Sequence, residues 1–363
     1  MAKNNNLHAA KNAKNDEFYT QISDIEKELE NYKDFFNGKV VYCNCDDPRE
    51  SNFFKFFSTN FERLGLKKLI TTGYKKDGHG VSFVYEGDKN GNRKVDDTDV
   101  EVIQLQGNGG YETDECIAFL KEADVVVTNP PFSKIRHFFK TLVNNGYLNM
   151  KHFLFIGNKN MVASKDIFPY IKNNQLWLGI NSPCDFSTPN GEITKTVTGL
   201  CRWFTNIPHS KRNQPLDLYR KYNPTDYKIY DNYCAINVDK VADIPEDDYI
   251  DIEIDEEDYP KWKAAYGDDV EILEKKIRVH RPIWGTPVTF LDKYNPMQFE
   301  IIWRGGDIEW AESECTFYSP PTKEMADNFK KQDKTWRIQN PYLLDKDGYA
   351  HVVYQRIFIK KVS

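Results

Sequence analysis

Residues 124–133 read DVVVTNPPFS. Three consecutive valines describe a buried strand, and the two prolines end it, because neither can donate a backbone hydrogen bond to a sheet ladder. The strand therefore stops at Asn129, which leaves an amide at its carboxyl end and Phe132 just beyond it on a stiff turn. In an open α/β sheet that edge is where ligands bind. A strand terminator with an incidental asparagine explains the stretch equally well on its own, so its surroundings decide the reading.

Working outward, strand-like and helix-like runs alternate. Upstream lie KVVYCNC at 39–45, KKLITTGY at 67–74 and DVEVIQL at 99–105, and downstream lies HFLFIGN at 152–158. Between them DDPRESNFFKFF, TDECIAFLKEA and KIRHFFKTLVNN carry helical patterns. After the first strand, Asp47 stands at an N-cap position, Pro48 at the first helical position and Glu50 at the third, which predicts an abrupt helix start. Ahead of it all, Ile22, Ile25, Leu29, Tyr32 and Phe36 recur at helical spacing. This order predicts βαβ units and a mostly parallel sheet. QLWLGI and GLCRWFTNI then read as neighbouring strands joined by a long loop over 181–198. Beyond residue 207 the chain turns rich in Tyr, Trp, Pro and charge, and reads as a second, irregular α+β region. The expected organisation is a flexible basic arm over 1–15, a catalytic domain over 16–206 and a separate region over 207–363.

Composition narrows the class. At 363 residues the chain accommodates two domains. No run approaches a membrane span, and the Asn- and Lys-rich start is too polar for a secretory signal. The seven cysteines are scattered, without zinc spacing. They read as small buried residues in a reducing compartment, so a cytoplasmic protein without disulfides or metal is expected. The formal charge is −6, yet residues 243–258 alone hold ten acidic groups, so the remainder stands at +4 and suits a local DNA-binding face. Within that segment Ile alternates with Asp or Glu over 250–255, the pattern of a half-buried, negatively charged edge strand.

The chemistry is bounded by what is missing. There is no G-x-x-x-x-G-K-[ST] loop for a triphosphate and no G-x-G-x-x-G after the first strand, where the chain reads CNCDDPRES. A polar and acidic edge of this kind suits a zwitterionic, ribose-bearing ligand. Asp46 or Asp47 could meet an ammonium group, and Asn108 in the GNGG loop could bond an adenine edge. A helix cap for Asp47 and a turn role for Asn108 compete with these assignments.

Taken together, the blocks DEFYTQ at 16–21, KVVYCNCDDPRESNFFKFF at 39–57, DVVVTNPPFS at 124–133, DNYCAINV at 231–238 and PVTFLDKYNPMQFEII at 287–302 resemble the adenine-specific DNA methyltransferases of the EcoRI modification-enzyme type. The resemblance spans both halves of the chain. It implies a class I, Rossmann-like methyltransferase sheet with a terminal antiparallel strand, plus a C-terminal target-recognition region. It implies S-adenosyl-L-methionine as donor and N6 of adenine in duplex DNA as acceptor, with the base flipped out. By the same resemblance Asn129, Pro130, Pro131 and Phe132 form the catalytic motif. Tyr19, Thr20, Asn44, Asp46, Asp47 and Asn108 would hold the donor. Asn108 stands where the family pattern has an aspartate, and Asp77 is the nearest candidate for the donor ribose.

Two basic-aromatic stretches, HSKRNQPLDLYRKY at 209–222 and YQRIFIKK at 354–361, are the candidates for DNA contact. They nominate Lys211, Arg212, Arg220, Lys221 and Arg356. A solvated basic face is the competing reading. A monomer is expected, with a cognate restriction endonuclease as a candidate partner. The rival functions are an RNA or protein-glutamine methyltransferase using a similar Asn-Pro-Pro-aromatic motif, and a DNA-binding protein that has lost catalysis.

Overall fold

The structure, a computed structural model, describes residues 19–183, 186–187, 193–194, 199–305, 316–332, 337, 340–353 and 355–362. The arm expected over 1–15 lies outside them. The chain divides into two compact units, one through Lys211 and one from Arg212 onward.

In the first unit, β1 (Tyr19–Thr20) leads into helix α1 (Ile22–Leu29), which continues as a 3-10 turn over Glu30–Phe36. The apolar spacing is obeyed from the second turn on: Ile25, Leu29, Tyr32 and Phe36 are all buried, while Ile22 at the start of α1 is exposed. Then follow β2 (Val40–Asn44), α2 (Asn52–Thr59), α3 (Phe61–Leu64), β3 (Lys68–Gly73), β4 (Val81–Tyr85), β5 (Val100–Gln104) and α4 (Asp114–Glu122). The unit continues with β6 (Val125–Thr128), α5 (Ile135–Asn144), β7 (His152–Asn158), α6 (Phe168–Lys172), β8 (Trp177–Leu178), β9 (Phe186–Ser187), β10 (Ile193–Thr194) and β11 (Cys201–Thr205).

Eight of these strands form one sheet in the order β5-β4-β3-β2-β6-β7-β11-β8. The central pairings β3·β2, β2·β6 and β6·β7 are parallel, and every residue of β2 and β6 is buried, as strands covered on both faces must be. Both flanks are antiparallel: β4 runs against β3 and β5, and β11 runs against β7 and β8. The expected terminal antiparallel strand is β11, and β8 pairs with it as its neighbour. The sequence pattern does not single out β4. Its residues VSFVY sit in a meander whose other arm is β5, so the expected third strand pairs with β4 instead of with β3. Six of the eight strands nevertheless point the same way.

The helix after β2 starts later than its sequence predicts. Ser51, not Asp47, is the N-cap of α2, accepting a bond from the Phe54 amide. Asp47 instead closes the turn before it, its carbonyl accepting the amides of Glu50 and Ser51 and its carboxylate the amide of Arg49 at 3.0 Å. Pro48 lies inside that turn, where its fixed φ is equally welcome.

A second contact fixes the loops at the end of β3. Gly109 has φ +75°, and a Cβ there would stand 2.2 Å from the carbonyl oxygen of Gly73. The Lys75 amide donates to the Asn108 carbonyl and the Gly80 amide to that of Gly107, so the glycine-rich loop lies directly on the β3–β4 turn.

The second unit holds a four-stranded sheet, β12 (Ile236–Asn237), β16 (Trp284–Pro287), β20 (Arg356–Lys361) and β17 (Phe299–Arg304), in that order. It is built on aromatic packing: Tyr233 lies 4.8 Å from Phe358, and Trp303 stacks on Phe358 at 5.5 Å. A three-stranded sheet has the order β13 (Tyr249–Ile252), β15 (Ile277–His280) and β14 (Val270–Ile272), and a hairpin pairs β18 (Tyr342–Leu344) with β19 (Ala350–Val352). Among the described residues it also carries the helices α7 (Tyr259–Tyr266) and α8 (Lys323–Gln332). The acidic alternation forms β13, an edge strand with Ile250 and Ile252 buried and Asp251 clasped by Arg278 at 2.8 Å and Lys276 at 2.6 Å.

Gly109→Ala should cost about 2 kcal/mol or more, because it adds a backbone clash to left-handed strain. Gly146→Ala has φ +86° with nothing near its Cβ, and should cost about 1 kcal/mol from strain alone. Chemical denaturation of the two variants beside the wild type checks the difference.

Candidate active site

The site begins where two central parallel strands end side by side. At the end of β2 stands Asn44, buried, and at the end of β6 stands Thr128, whose hydroxyl donates to the Asn44 carbonyl. Asn129 follows at once and is 7% exposed. Pro130 is buried, Pro131 and Phe132 are half-buried, and the Lys134 amide donates to the Pro131 carbonyl at 2.9 Å to turn the chain into α5. The prolines thus do what their chemistry requires: they halt the ladder and present the motif at the sheet's carboxyl edge.

Beyond Asn44 the backbone is strained. Cys45 has φ +81°, a left-handed conformation that a non-glycine residue rarely adopts. Its thiol lies 3.4 Å from the Asn44 side-chain oxygen. Burial pushes the thiols of both Cys43 and Cys45 up, which makes them poor nucleophiles. The described cysteines, 43, 45, 116, 201 and 234, are free; Cys184 and Cys315 lie outside the described residues. Among the described residues no cluster of His, Cys, Asp or Glu is arranged for a metal ion, and no helix is long and apolar enough to cross a membrane.

A small second sheet closes over this edge. β1 pairs with β9, Tyr19 with Ser187 and Thr20 with Phe186, and β9 pairs in turn with β10. Asn52, the first residue of α2, donates its side-chain amide to the Thr20 carbonyl at 2.8 Å, so the turn after β2 and the strand β1 are tied together. Phe186 is fully buried and meets Phe132 edge-on, with centroids 6.4 Å apart and planes at 81°. The Thr20 hydroxyl is buried and, among the described residues, has no hydrogen-bond partner.

The structure therefore brings Thr20, Asn44 and Asn129–Phe132 to one edge, with Asp46 and Asp47 on the adjoining turn. Asp46 accepts from the Ser51 hydroxyl at 3.4 Å. Asn108 lies farther out, by the end of β3, where its side-chain oxygen accepts the Gly110 amide at 3.0 Å in a local turn. A cleft of about 500 Å³ opens beside it, lined by Asp47, Arg49, Gly73, Tyr74, Lys75 and the 78–81 turn. Asp77 is exposed in the same loop and does not line it. Sequence reading missed Phe186, whose signal is a lone aromatic in a long irregular loop, and the partnership of Asn52 with Thr20, which no local pattern announces.

The basic candidates fall differently. Lys211, at the end of the first unit, donates its ammonium to the Ile180 carbonyl at 3.0 Å. Arg212 is half-buried, and burial holds its guanidinium below the usual value. Arg220 is exposed and pairs with Asp243 at 3.4 Å, while Lys221 pairs with Glu246 at 3.0 Å and Asp247 at 3.7 Å. Lys361 binds Asp248 at 2.6 Å. Residues 243–248 of the acidic segment thus lie along the basic residues Arg220, Lys221 and Lys361. Arg356 is only 7% exposed; its guanidinium is bonded to Tyr230 and Asn237 at 3.3 Å and to Asp239 at 3.4 Å. That makes it a tethered group of the unit's interior, not an open cation, at the start of a strand whose first four residues are all buried.

Comparison with known proteins agrees with this geometry. The family model described as adenine-specific methyltransferase EcoRI matches residues 6–253 and 246–362. The Type II methyltransferase M.EcoRI of Escherichia coli is 39% identical over 327 residues, covering 83% of this chain and 89% of the relative. M.MgeORF184P of Mycoplasma genitalium is 34% identical over 82% of this chain and 85% of its own length, and M.MpnI of Mycoplasma pneumoniae 33% identical over 82% and 84%. No solved structure matches. The chain belongs to the EcoRI family of adenine-specific methyltransferases. It is an enzyme that methylates adenine in DNA, and the protein-glutamine alternative falls away.

Asn52→Ala should remove about 1 kcal/mol by freeing the Thr20 carbonyl. Amide exchange should rise over β1 while β2 and β6 stay protected, which hydrogen-exchange measurement on the native protein would reveal.

Proposed function

We propose that the donor is S-adenosyl-L-methionine and that the acceptor is N6 of one adenine flipped out of a specific duplex sequence. The observation that carries this reading is the meeting, at one sheet edge, of Asn129–Phe132 with Asn44 and the ligand-poor hydroxyl of Thr20. Thr20, Tyr19, Asn44, Asp46 and Asp47 would hold the donor's amino-acid portion. The cleft beside Asn108 would take its adenosine. When bound, the donor supplies an electrophilic methyl on a sulfonium.

The protein's own part is to orient and polarise. N6 is a poor nucleophile because its lone pair is delocalised into the ring. The Asn129 side-chain oxygen and the Pro130 carbonyl accept hydrogen bonds from the two N6 hydrogens, which favours pyramidal geometry as the methyl arrives. The prolines fix both acceptors in advance, so no ordering is needed at the moment of reaction. Phe132 stacks on the base, and Phe186 behind it keeps its ring from yielding. No strong base is required, because the methylated amine sheds its proton readily to solvent.

The region from residue 207 onward reads sequence, through Lys211, Arg212, Arg220 and Lys221 on phosphates and base edges. Residues 1–15 serve as a basic arm, and 16–206 as the catalytic domain. The Type II designation of the relatives supports a place in restriction-modification beside an endonuclease of the same site. The enzyme works in the cytoplasm and as a monomer.

Asn129→Ala should lower single-turnover methylation by about 10²–10³ while donor affinity changes only a few-fold. A rate within about threefold of wild type would remove its assigned role. Phe132→Trp should retain more activity than Phe132→Ala, since base stacking is worth about 1–3 kcal/mol. 2-Aminopurine at the target should brighten on binding, and an unchanged signal would argue against flipping.

Neutralising Asp243, Glu246 and Asp247 together should free Arg220 and Lys221 and tighten non-specific DNA binding at low salt. Each exposed pair is worth about 0–1 kcal/mol, so the three together give a gain of about tenfold in mid-range and on the order of a hundredfold at most. The methylated sequence should stay the same. Titrating duplex DNA against salt concentration, with the modified base mapped in parallel, measures both.

A further inference from the structure

Glu28 lies on α1 and is fully buried, at 0% exposure. Among the described residues no cation pairs with its carboxylate. Four hydrogen bonds converge on it instead. Oε1 accepts from the Tyr32 hydroxyl at 2.8 Å and from the Ile180 amide at 2.8 Å. Oε2 accepts from the Asn181 amide at 2.7 Å and from the Asn181 side chain at 3.0 Å. Burial pushes its carboxyl up, and these donors pull it back.

An unpaired anion in the interior is costly, and an apolar side chain of the same size would fill the space without that cost. What the carboxylate supplies is a fixed course for the chain as it leaves β8. Gly179 shows how closely the chain is held: a Cβ there would stand 2.3 Å from Glu28 Oε1 and 2.6 Å from Trp203 Cβ. Asn181 Nδ2 also donates to the Lys27 carbonyl at 3.0 Å, so its side-chain amide is bound twice to α1. Five residues on stands Phe186, which pairs with Thr20 and meets the ring of Phe132.

We infer that Glu28 is a positioning residue for methyl transfer: by fixing residues 180–181 it sets where Phe186 stands, and through it the attitude of Phe132 to the target adenine. The inference rests on the stacking role proposed for Phe132. Glu28 touches neither donor nor base, so its effect belongs in the base-dependent steps and not in donor binding.

The test uses the full chain with three variants, Glu28→Gln, Asn181→Ala and Phe132→Ala. Glu28→Gln turns an amide NH2 toward the donors of Asn181 and should lower the single-turnover rate by about tenfold. It should also weaken the 2-aminopurine signal while leaving donor affinity within about twofold. Asn181→Ala keeps the carboxylate paired with Tyr32 and Ile180. It should fall about threefold in rate, and it carries the test alone if Glu28→Gln fails to fold. The double variant should lose little more than Glu28→Gln, since both act through one contact. Folded variants with wild-type rates, or equal losses of rate and donor affinity, would overturn the inference while Phe132→Ala is still impaired. If Phe132→Ala matches wild type in rate and signal, the stacking reading fails and the inference falls with it.

Discussion

Everything at this site depends on one constraint of backbone chemistry: a sheet cannot continue through residues that lack an N–H. Pro130 and Pro131 end β6 one residue past Thr128, at the level where β2 ends at Asn44. The hydroxyl of Thr128 reaching the Asn44 carbonyl binds the two endings together. Had the ladder run on by even two residues, Asn129 would have been spent on the sheet. Because it stops, the Asn129 amide and the Pro130 carbonyl stand at the sheet's carboxyl edge on rigid supports, which the proposed polarisation of a weak nucleophile requires.

Much of this was legible in the sequence because its causes are local. Valine runs, paired prolines and the spacing of Ile25, Leu29, Tyr32 and Phe36 act over a few residues, and the structure follows them. What could not be read depends on partners distant in the chain. The strand β4 looks unremarkable as VSFVY until β5 pairs with it. Asp47 has the chemistry of a helix cap, and it closes a turn because Ser51 caps the helix four residues later. Arg356 reads as a basic surface residue beside aromatics. Only the register of β20 against β16 decides that it points inward, to Tyr230 and Asn237. The family resemblance supplied the roles of Tyr19 and Thr20, which no periodicity suggests.

The second unit shows a related tension. Its most basic stretch and the start of its most acidic one meet, where Arg220 and Lys221 find their partners at Asp243, Glu246 and Asp247. Exposed pairs of this kind are weak and salt-sensitive, so they hold the cations in place without competing strongly against a phosphate backbone. A protein whose overall charge is negative can thereby keep cations in readiness and still resist indiscriminate adhesion to nucleic acid.

The pairing of β1 with β9 has a consequence for how the enzyme comes into being. Thr20 finds its partner in Phe186, 166 residues further along. Closing so long a loop is slow compared with forming the helices and the central strands. During synthesis the sheet edge with its Asn-Pro-Pro-Phe turn can form first, while the segment that backs Phe132 is still inside the ribosome. Under the stacking role proposed for Phe132, nascent chains would lack its aromatic neighbour until the first unit is nearly complete. A chain cut just before β9 would lack both the segment that meets Phe132 and the antiparallel strand β11 of the main sheet.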